Sequence, residues 1–331
     1  MGPLRVGSVG LGWWGGNLAE KARLAGIQVV SCFARTTESR DEFAERHDCR
    51  PVDSLEQMLS DPDVEAVLIA TPHSTHAELV AEAAAAGKHI FVDKPFTLTV
   101  AEGKRAIAAA KSAGVVLQVG HNRRRQPANR RLKSMVGNGD LGVVHYAEAN
   151  LSYPKGLNPR SGWRGEPEES PAGGMTGLGV HMADNLNYLL GRAARVAAFS
   201  KRIVGVSKLD DATTATIEFH DGPLAFLGTS MVIPDIAVTA VWGTEGAAKN
   251  DNDGERFLTQ EVGSKHWVEH DIETIDTVRD ELEEFADNIR NGKTPETGGP
   301  EALEATVLLE GIVESALQAR VVDLDEVRAR S

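Results

Sequence analysis

Residues 4–33 read LRVGSVGLGWWGGNLAEKARLAGIQVVSCF, and this stretch decides the fold. The segment at 4–9 is typical of a short strand buried on both faces of a sheet. The pattern GxGxxG follows at 10–15, then a helical segment that stops at Gly26, then a second apolar strand at 27–33. This order of strand, glycine-rich turn, helix and strand predicts a dinucleotide-binding unit. A glycine-rich turn without a ligand would not explain the whole unit.

The glycines of the pattern have separate tasks in such a unit. Gly10 permits the tight turn, Gly12 lets a pyrophosphate approach the backbone, and Gly15 lets the helix pack closely on the strand. The phosphates would lie at the helix N-terminus, where unpaired amides and the helix dipole favour an anion. We expect Trp13 and Trp14, which lie in the same turn, to contact the cofactor as well.

The end of the second strand bears on the choice of cofactor. Enzymes that bind NAD usually place Asp or Glu about 20 residues beyond the fingerprint, where it binds the ribose 2′-hydroxyl. Here Ala34 is followed by Arg35 and Thr36, with Arg40 a little later. Guanidinium and hydroxyl donors without a carboxylate favour a 2′-phosphate, so we predict NADP(H) over NAD(H). The alternative is that Arg35 is a solvated loop residue and the ribose is held otherwise.

Strands and helices continue to alternate over roughly the first 120 residues. This pattern predicts an α/β Rossmann domain over 1–121, with a doubly wound parallel sheet. Ligands of such sheets bind outside the carboxyl ends of the strands. The residues that follow the strands at 64–70 and 89–92 are therefore candidate cofactor ligands: Thr71, Pro72, His73, His76, Asp93, Lys94 and Pro95. Lys94 is well placed there for acid/base chemistry.

The bulk composition excludes several classes of protein. The chain has 331 residues, is 41% hydrophobic and carries a net charge of −13, which argues against nucleic acid and anionic membranes as main partners. Two cysteines are too few for a disulfide framework or a thiolate zinc site, and we expect no metal. With no signal peptide and no membrane span in evidence, we expect a cytoplasmic protein.

The second half of the chain predicts an α+β domain over 122–331 with a largely antiparallel open sheet. Five strand-like segments lie between 143 and 242, and Asp221-Gly222 is a hairpin signal between two of them. Two amphipathic helices finish the chain, one of them with Val278, Leu282, Phe285 and Ile289 on a single face.

Two segments of this half contribute candidate substrate residues. A long loop at 153–172 contains Trp163 and Arg164, and we interpret it as a substrate-covering segment; the alternative is a surface loop with a buried Trp anchor. Gly173-Gly174 then opens a predicted helix that carries His181 and Asp184, three residues apart and so on one face.

Four segments together resemble the Gfo/Idh/MocA family of NAD(P)-dependent oxidoreductases. They are GLGWWG, TPHSTHAELVAEAAAAGKHIFVDKP, GHNRRRQPANRRL and GGMTGLGVHMAD, in the family's order over nearly the whole chain. The resemblance implies that Lys94 is a catalytic acid/base beside the nicotinamide and that His181 is a residue of the substrate site. We predict that His181 is also catalytic, as the partner of Lys94 in proton transfer. It also implies that the bare face of the C-terminal sheet is a subunit interface, giving a homodimer or homotetramer. The predicted substrate-binding residues are Asn122, Arg124, Trp163, Arg164 and Asp184.

Two departures from the family pattern affect these expectations. Asp93 stands where the family has Glu before the lysine, so the acid near the nicotinamide ribose is shorter by one methylene. Gly177 stands where many members carry an aspartate four residues before the histidine. Either Lys94 then carries the proton transfer or another group orients His181.

The leading functional hypothesis is hydride transfer between the nicotinamide and a carbinol or carbonyl carbon of a sugar, polyol or cyclic diol. The arginines at 123–125, with Arg164, could instead recognise the carboxylate of an aromatic-acid dihydrodiol. Two other classes stay open, since some relatives hydrolyse glycosides through a transient oxidation and others are non-catalytic dinucleotide sensors.

Overall fold

The computed structural model describes residues 2–157 and 162–331 and divides into two compact units. The first unit comprises Met1–Thr97, Ala101–Asn122 and Asp276–Leu303. The second unit comprises Leu98–Val100, Arg123–Ile275 and Glu304–Ser331. The chain therefore leaves the first unit and later returns to it. The division at 121/122 stays a prediction.

The first unit contains the predicted parallel sheet. Its six strands are β1 (Leu4–Val9), β2 (Ile27–Phe33), β3 (Arg50–Pro51), β4 (Ala66–Ile69), β5 (His89–Val92) and β6 (Leu117–Val119). They lie in the order β3-β2-β1-β4-β5-β6, and every pair is parallel. The first five helices of the chain are α1 (Trp13–Leu24), α2 (Thr37–His47), α3 (Leu55–Ser60), α4 (His76–Ala85) and α5 (Val100–Ala113). The prediction of a Rossmann sheet is confirmed.

Local signals explain where several of these helices begin and end. Gly26, Gly87 and Gly114, just after α1, α4 and α5, have φ angles of 72°, 71° and 67°, which end a right-handed helix. At the start of α3 the Ser54 hydroxyl accepts a hydrogen bond from the Gln57 amide at 3.1 Å. A serine three residues before the bonded amide is a common cap of a helix N-terminus.

The second unit is built on a mixed, mostly antiparallel sheet. Its helices in this part of the chain are α6 (Pro127–Asn138) and α7 (Val180–Leu190). Its strands are β7 (Val144–Ser152), β8 (Ala193–Lys201), β9 (Ala212–Phe219), β10 (Leu224–Ser230), β11 (Ile236–Gly243), β12 (Gly246–Asp251), β13 (Arg256–Glu261) and β14 (Val268–His270). With β15 (Val322–Asp323) the order is β14-β13-β12-β11-β7-β10-β9-β8-β15, and among the described strands of this sheet only β10 and β7 form a parallel pair. The predicted hairpin at Asp221-Gly222 joins β9 to β10.

The last helices of the chain are α8 (Thr277–Asn291), α9 (Gly299–Gln318) and α10 (Leu324–Ala329). The amphipathic face predicted for α8 is confirmed, because Leu282 and Phe285 are fully buried and Val278 is 8% exposed. These side chains join the core of the first unit together with residues of α1, including Leu18. The helix therefore completes a face of the Rossmann sheet.

One helix differs from its prediction. The segment expected to open at Gly173-Gly174 forms a π-helical turn at Met175–Gly179, and α7 begins only at Val180. Gly173 has a φ of 57°, a left-handed conformation that cannot belong to a right-handed helix. In the loop at 153–172, short 3₁₀ turns occupy Pro154–Leu157 and Trp163–Gly165, and residues 158–161 lie outside the described residues.

None of the helices within residues 2–157 and 162–331 combines the length and the apolar character needed to cross a membrane.

Candidate functional site

The glycine-rich turn between β1 and α1 has no room for side chains at two of its three positions. A Cβ on Gly15 would lie 2.0 Å from the carbonyl oxygen of Gly10. Gly10 has a φ of 89°, and a Cβ there would lie 2.5 Å from the carbonyl oxygen of Ala70. At Gly12, by contrast, a Cβ would meet no described atom within 4 Å. Gly10 and Gly15 are therefore needed for packing, whereas Gly12 keeps the surface of the turn open.

The N-terminus of α1 has the features of an anion site. Gly12 caps the helix without a side chain that binds its first amides, and the first turn, all of it described, contains no acidic residue. The amides and the helix dipole are therefore available to an anion. Trp13 is 79% exposed and Trp14 is half-buried, with their ring centroids 5.5 Å apart. These residues fit the pyrophosphate of a dinucleotide.

The two arginines predicted to contact the cofactor differ in their surroundings. Arg35, directly after β2, is exposed. Arg40, on α2, is 9% exposed, and its guanidinium donates to the Ala34 carbonyl at 3.1 Å and to the Asp53 carboxylate at 3.0 Å. Arg40 also donates to the Thr37 hydroxyl at 3.1 Å. It therefore braces the turn after β2, and Arg35 is the more available of the two guanidinium groups.

Residues that follow β4 and β5 lie close together at one edge of the sheet. The amide of Asp93 donates to the carbonyl of Ile69 at 2.9 Å, which extends the pairing of the two strands by one residue. The His76 ring lies with Nδ1 2.9 Å from the Pro95 carbonyl oxygen and Nε2 3.2 Å from that of Thr71. His73 and His76 pack edge to face with ring centroids 5.9 Å apart. Pro72 accepts a hydrogen bond from the Thr75 hydroxyl at 2.7 Å.

Asp93 and Lys94 occupy the end of β5. Asp93 is 8% exposed, and its Oδ1 is buried without a hydrogen-bond partner among the described residues. A buried carboxylate oxygen is costly unless something donates to it, so this atom fits a ligand with a hydroxyl group. Lys94 is half-buried, and the Lys94–Pro95 peptide bond is cis.

In the second unit, His181 and Asp184 lie in the first half of α7, and both are buried. Both carboxylate oxygens of Asp184 accept from Arg124, at 2.9 Å from Nε and 2.5 Å from Nη2. The Arg124 guanidinium also lies over the Tyr188 ring, 5.1 Å from its centroid. The two predicted substrate residues Arg124 and Asp184 therefore form a buried bidentate ion pair with each other.

The rest of the arginine run is also engaged within the protein. Arg123 forms an ion pair with Asp253 and donates to the Tyr153 hydroxyl at 3.4 Å. Arg125 is 1% exposed. Asn122, in the first unit, donates to the Thr277 hydroxyl at 2.9 Å. Two of the three consecutive arginines thus have their charge balanced by a carboxylate.

Trp163 and Arg164 lie together in one 3₁₀ turn, and both are half-buried. The Arg164 guanidinium stacks on the Trp163 ring at 4.1 Å from its centroid, a cation–π contact. The pair forms a flat surface of mixed charge and aromatic character. Their contact with a substrate stays a prediction.

Several partners in these networks were not predicted from the sequence. They are Asp53 for Arg40, Asp253 for Arg123, and Tyr188 for Arg124. No local pattern marks any of them, because each lies 13 or more residues from its partner.

The described ranges 2–157 and 162–331 contain no group of three His, Cys, Asp or Glu side chains placed to hold a metal ion.

Comparison with known proteins gives two matches to family models. Residues 4–121 match the model described as "Oxidoreductase family, NAD-binding Rossmann fold". Residues 129–249 match the model described as "GFO/IDH/MocA C-terminal domain". Together the two matches cover most of the chain.

Individual relatives cover even more of it. A scyllo-inositol 2-dehydrogenase (NAD(+)) of Bacillus subtilis is 32% identical over 82% of this chain and 81% of its own length. A myo-inositol 2-dehydrogenase of Thermotoga maritima is 28% identical over 98% of this chain and 99% of its own. A crystal structure of an oxidoreductase from Desulfitobacterium hafniense, provisionally assigned as NADPH-dependent, has a TM-score of 0.93 at 33% identity and covers 99% of this chain and 100% of its own.

The glycines before α7 allow a test of the local geometry. A Cβ on Gly177 would meet no described atom within 4 Å, whereas one on Gly173 would lie 1.8 Å from the Asp210 carbonyl oxygen. We expect Gly177→Ala to change the free energy of unfolding by less than about 1 kcal/mol. Gly173→Ala, the matched variant, should destabilise by more than about 2 kcal/mol because of the clash and the positive φ. Chemical denaturation measures both, and equal losses in the two variants would contradict this geometry.

Proposed function

Because the chain belongs to the Gfo/Idh/MocA family of NAD(P)-dependent oxidoreductases, we propose that it transfers hydride between NADP(H) and a sugar, polyol or cyclic diol. The observation that carries the proposal is the arrangement at the ends of β1 and β5. An uncapped helix N-terminus with an open glycine follows β1, and a lysine beside a buried carboxylate follows β5. The first arrangement suits the pyrophosphate, and the second suits proton transfer.

The chain's own residues would divide the chemistry as follows. When bound, NADP(H) would supply the hydride acceptor for the carbinol carbon. The hydroxyl proton of the same carbinol passes to the amine of Lys94, so that a carbonyl forms without a free oxyanion. Asp93 Oδ1 would hold the cofactor by accepting a hydrogen bond from a ribose hydroxyl. In the reverse direction the Lys94 ammonium returns the proton to the alkoxide.

We assign His181 to substrate binding rather than to the main proton transfer. Gly177 lacks the carboxylate that would charge-stabilise an imidazolium, and both oxygens of Asp184 already accept from Arg124. His181 then contributes a hydrogen bond to the substrate. Trp163 and Arg164 supply a stacking surface for the face of a sugar ring.

The preference for NADP(H) rests on Arg35 and Thr36. Arg35 is exposed directly after β2, and the Thr36 hydroxyl hydrogen-bonds that of Ser39 at 2.8 Å, at the start of α2. No carboxylate stands at Ala34 to repel a 2′-phosphate. Relatives at similar identity differ in the cofactor that their names give, so the preference needs a direct test.

Among substrates, the arrangement favours neutral polyols over aromatic acids. Recognition of a carboxylate by the arginine run would need a guanidinium that is not already paired, and Arg123 and Arg124 are paired with Asp253 and Asp184. The inositol dehydrogenases among the relatives agree with a cyclic polyol.

We also propose that copies of the chain associate through the bare face of the sheet of the second unit. Ala147, Ala149 and Leu151 of β7 point to the covered face and are fully buried. On the other face lie Tyr146, 39% exposed, and its register partner Leu224, 49% exposed. An aromatic and aliphatic surface of this kind is typical of subunit interfaces.

The cytoplasmic location stays a prediction.

The catalytic assignment is tested on the substrate found with a panel of polyols, aldoses and cyclic diols, each followed at the absorbance of the reduced cofactor. On that substrate we expect Lys94→Ala to leave the Kd of the cofactor within about threefold while kcat falls by at least about 10²-fold. Lys111→Ala, an exposed lysine on α5, is the control and should keep wild-type kcat. Wild-type kcat in Lys94→Ala would refute the proton-transfer role.

The rival classes give different signals on the same panel. Turnover of a glycoside without net change in absorbance would indicate redox-assisted hydrolysis. Cofactor binding without turnover of any compound would indicate a dinucleotide sensor.

The cofactor assignment is tested with Arg35→Asp. Loss of a charge-assisted hydrogen bond and gain of a repulsive carboxylate should weaken NADPH by roughly tenfold to hundredfold, while NADH changes little. Arg105→Asp, at an exposed arginine on α5, is the control. Titration of each variant with both cofactors gives the ratio of Kd values, and an unchanged ratio in Arg35→Asp would rule out this site for the 2′-phosphate.

The association is tested by light scattering of the wild type and of Leu224→Glu. We expect the wild type to be a dimer or tetramer and the variant to have a lower mass, because a carboxylate would be buried unpaired. Val262→Glu, at a residue 67% exposed in the turn after β13, should keep the wild-type mass. A monomeric wild type would overturn this part of the proposal.

A further inference from the structure

His76 is a fully buried histidine whose ring connects two backbone segments. It is 0% exposed, and it is the first residue of α4. Nδ1 lies 2.9 Å from the carbonyl oxygen of Pro95, and Nε2 lies 3.2 Å from that of Thr71. Each ring nitrogen therefore faces a carbonyl, which can only accept a hydrogen bond.

The two carbonyls belong to the segments that follow β4 and β5. The paired residues at the end of these strands are Ile69 and Val92, and the Asp93 amide adds one more hydrogen bond to Ile69. Beyond that point the segments leave the ladder of the sheet. Thr71 lies in the turn after β4, and Pro95 is bonded directly to Lys94. The imidazole thus links the two turns just beyond the last strand pairing.

The proton content of the ring decides how many carbonyls it binds at once. A neutral imidazole has one N–H and donates to one carbonyl, whereas the protonated ring donates to both. The pKa of His76 is lowered below its ordinary value, because burial outweighs the opposite effects of the Asp93 charge and of the backbone contacts at Pro95, Thr71 and Phe96. The neutral ring is therefore favoured, and its two tautomers hold the two carbonyls alternately.

We propose that His76 is a positioning residue with two separable tasks. Through Nδ1 it fixes the Pro95 carbonyl and so the backbone that carries Lys94. Through Nε2 it fixes the Thr71 carbonyl and so the turn predicted to contact the cofactor. The first task rests on the proposed role of Lys94 in proton transfer, whereas the second does not. A displacement of about 1 Å at a reacting group is enough to slow a reaction about a hundredfold. A buried side chain that holds Pro95, the residue next to Lys94, therefore affects the rate without touching the substrate.

Two near-isosteric variants separate the tasks. In His76→Asn the side-chain amide nitrogen can take the place of Nδ1, and nothing replaces Nε2. In His76→Gln the amide nitrogen reaches the place of Nε2, and nothing replaces Nδ1. Both amides are neutral donors of similar size to the ring, so each variant keeps a donor for only one of the two carbonyls.

The expected results are opposite for the two variants. His76→Asn should keep kcat within about threefold of the wild type while the Kd of the cofactor rises by about tenfold, because the Thr71 carbonyl loses its donor. His76→Gln should keep the Kd of the cofactor within about threefold while kcat falls by at least about tenfold. Cofactor titration and steady-state kinetics measure the two quantities, and thermal melting of each variant reports on folding.

A background variant links the effect on kcat to Lys94. If His76 acts on the rate through Lys94, then His76→Gln combined with Lys94→Ala should have the same kcat as Lys94→Ala alone. Additive losses in the double variant would show that His76 acts on the rate by another route, and would overturn the first task.

The outcomes distinguish this proposal from an ordinary core histidine and from failure of the proposed function. Losses of kcat and affinity that are equal in the two variants and follow the melting temperature would show a purely structural role and overturn the proposal. The absence of any change in either variant would overturn it as well. Wild-type kcat in Lys94→Ala would refute the proposed catalytic role of Lys94. The Kd of the cofactor in His76→Asn would still test the second task of His76, which is to hold the Thr71 carbonyl.

Discussion

Parallel strands all end at the same edge of their sheet, and the candidate cofactor residues of this protein depend on that constraint. β1 pairs in parallel with β2 on one side and with β4 on the other, and β4 pairs with β5. The residues after these four strands come from stretches near 10, 35, 71 and 94, yet they meet along one edge. The close contact of α1 with the turn after β1 requires glycine at position 15 and leaves the open position at Gly12. The topology of the sheet, rather than any single residue, brings the candidate cofactor residues together.

Much of this architecture could be predicted from the sequence because its signals are local. Buried strands, helix stops at glycine and the GxGxxG turn are all contained in short windows. α2 was not predicted, since TESRDEFAERH is strongly polar and buries only Arg40, Phe43 and Ala44. β12, β13 and β14 were also missed. They have few apolar residues in alternation, and their pairing is set by neighbours in the sheet rather than by their own composition.

The candidate substrate residues were harder to predict because their partners are distant in sequence. Arg124 pairs with Asp184 60 residues away, and Arg123 pairs with Asp253. A run of three arginines looks like an anion site when only the sequence is known. Buried guanidinium groups must find carboxylates to offset the loss of hydration, and each such partner removes a charge that a substrate could use. In this protein Arg124 connects the turn before α6 to α7, and Arg123 connects it to Asp253. Such contacts have no signature in a local pattern.

The return of α8 to the first unit affects how the chain folds as it is synthesised. Phe285 packs on Phe91 of β5 with ring centroids 5.7 Å apart, and Leu282 is buried in the same core. A nascent chain of 122 residues has all six strands of the sheet but leaves one face of it without this helix. At about 5–20 residues per second the ribosome needs roughly ten seconds or more to supply it. The Rossmann unit therefore matures only after most of the second unit has been made, and its uncovered apolar face is exposed to chaperones and to aggregation in the interval.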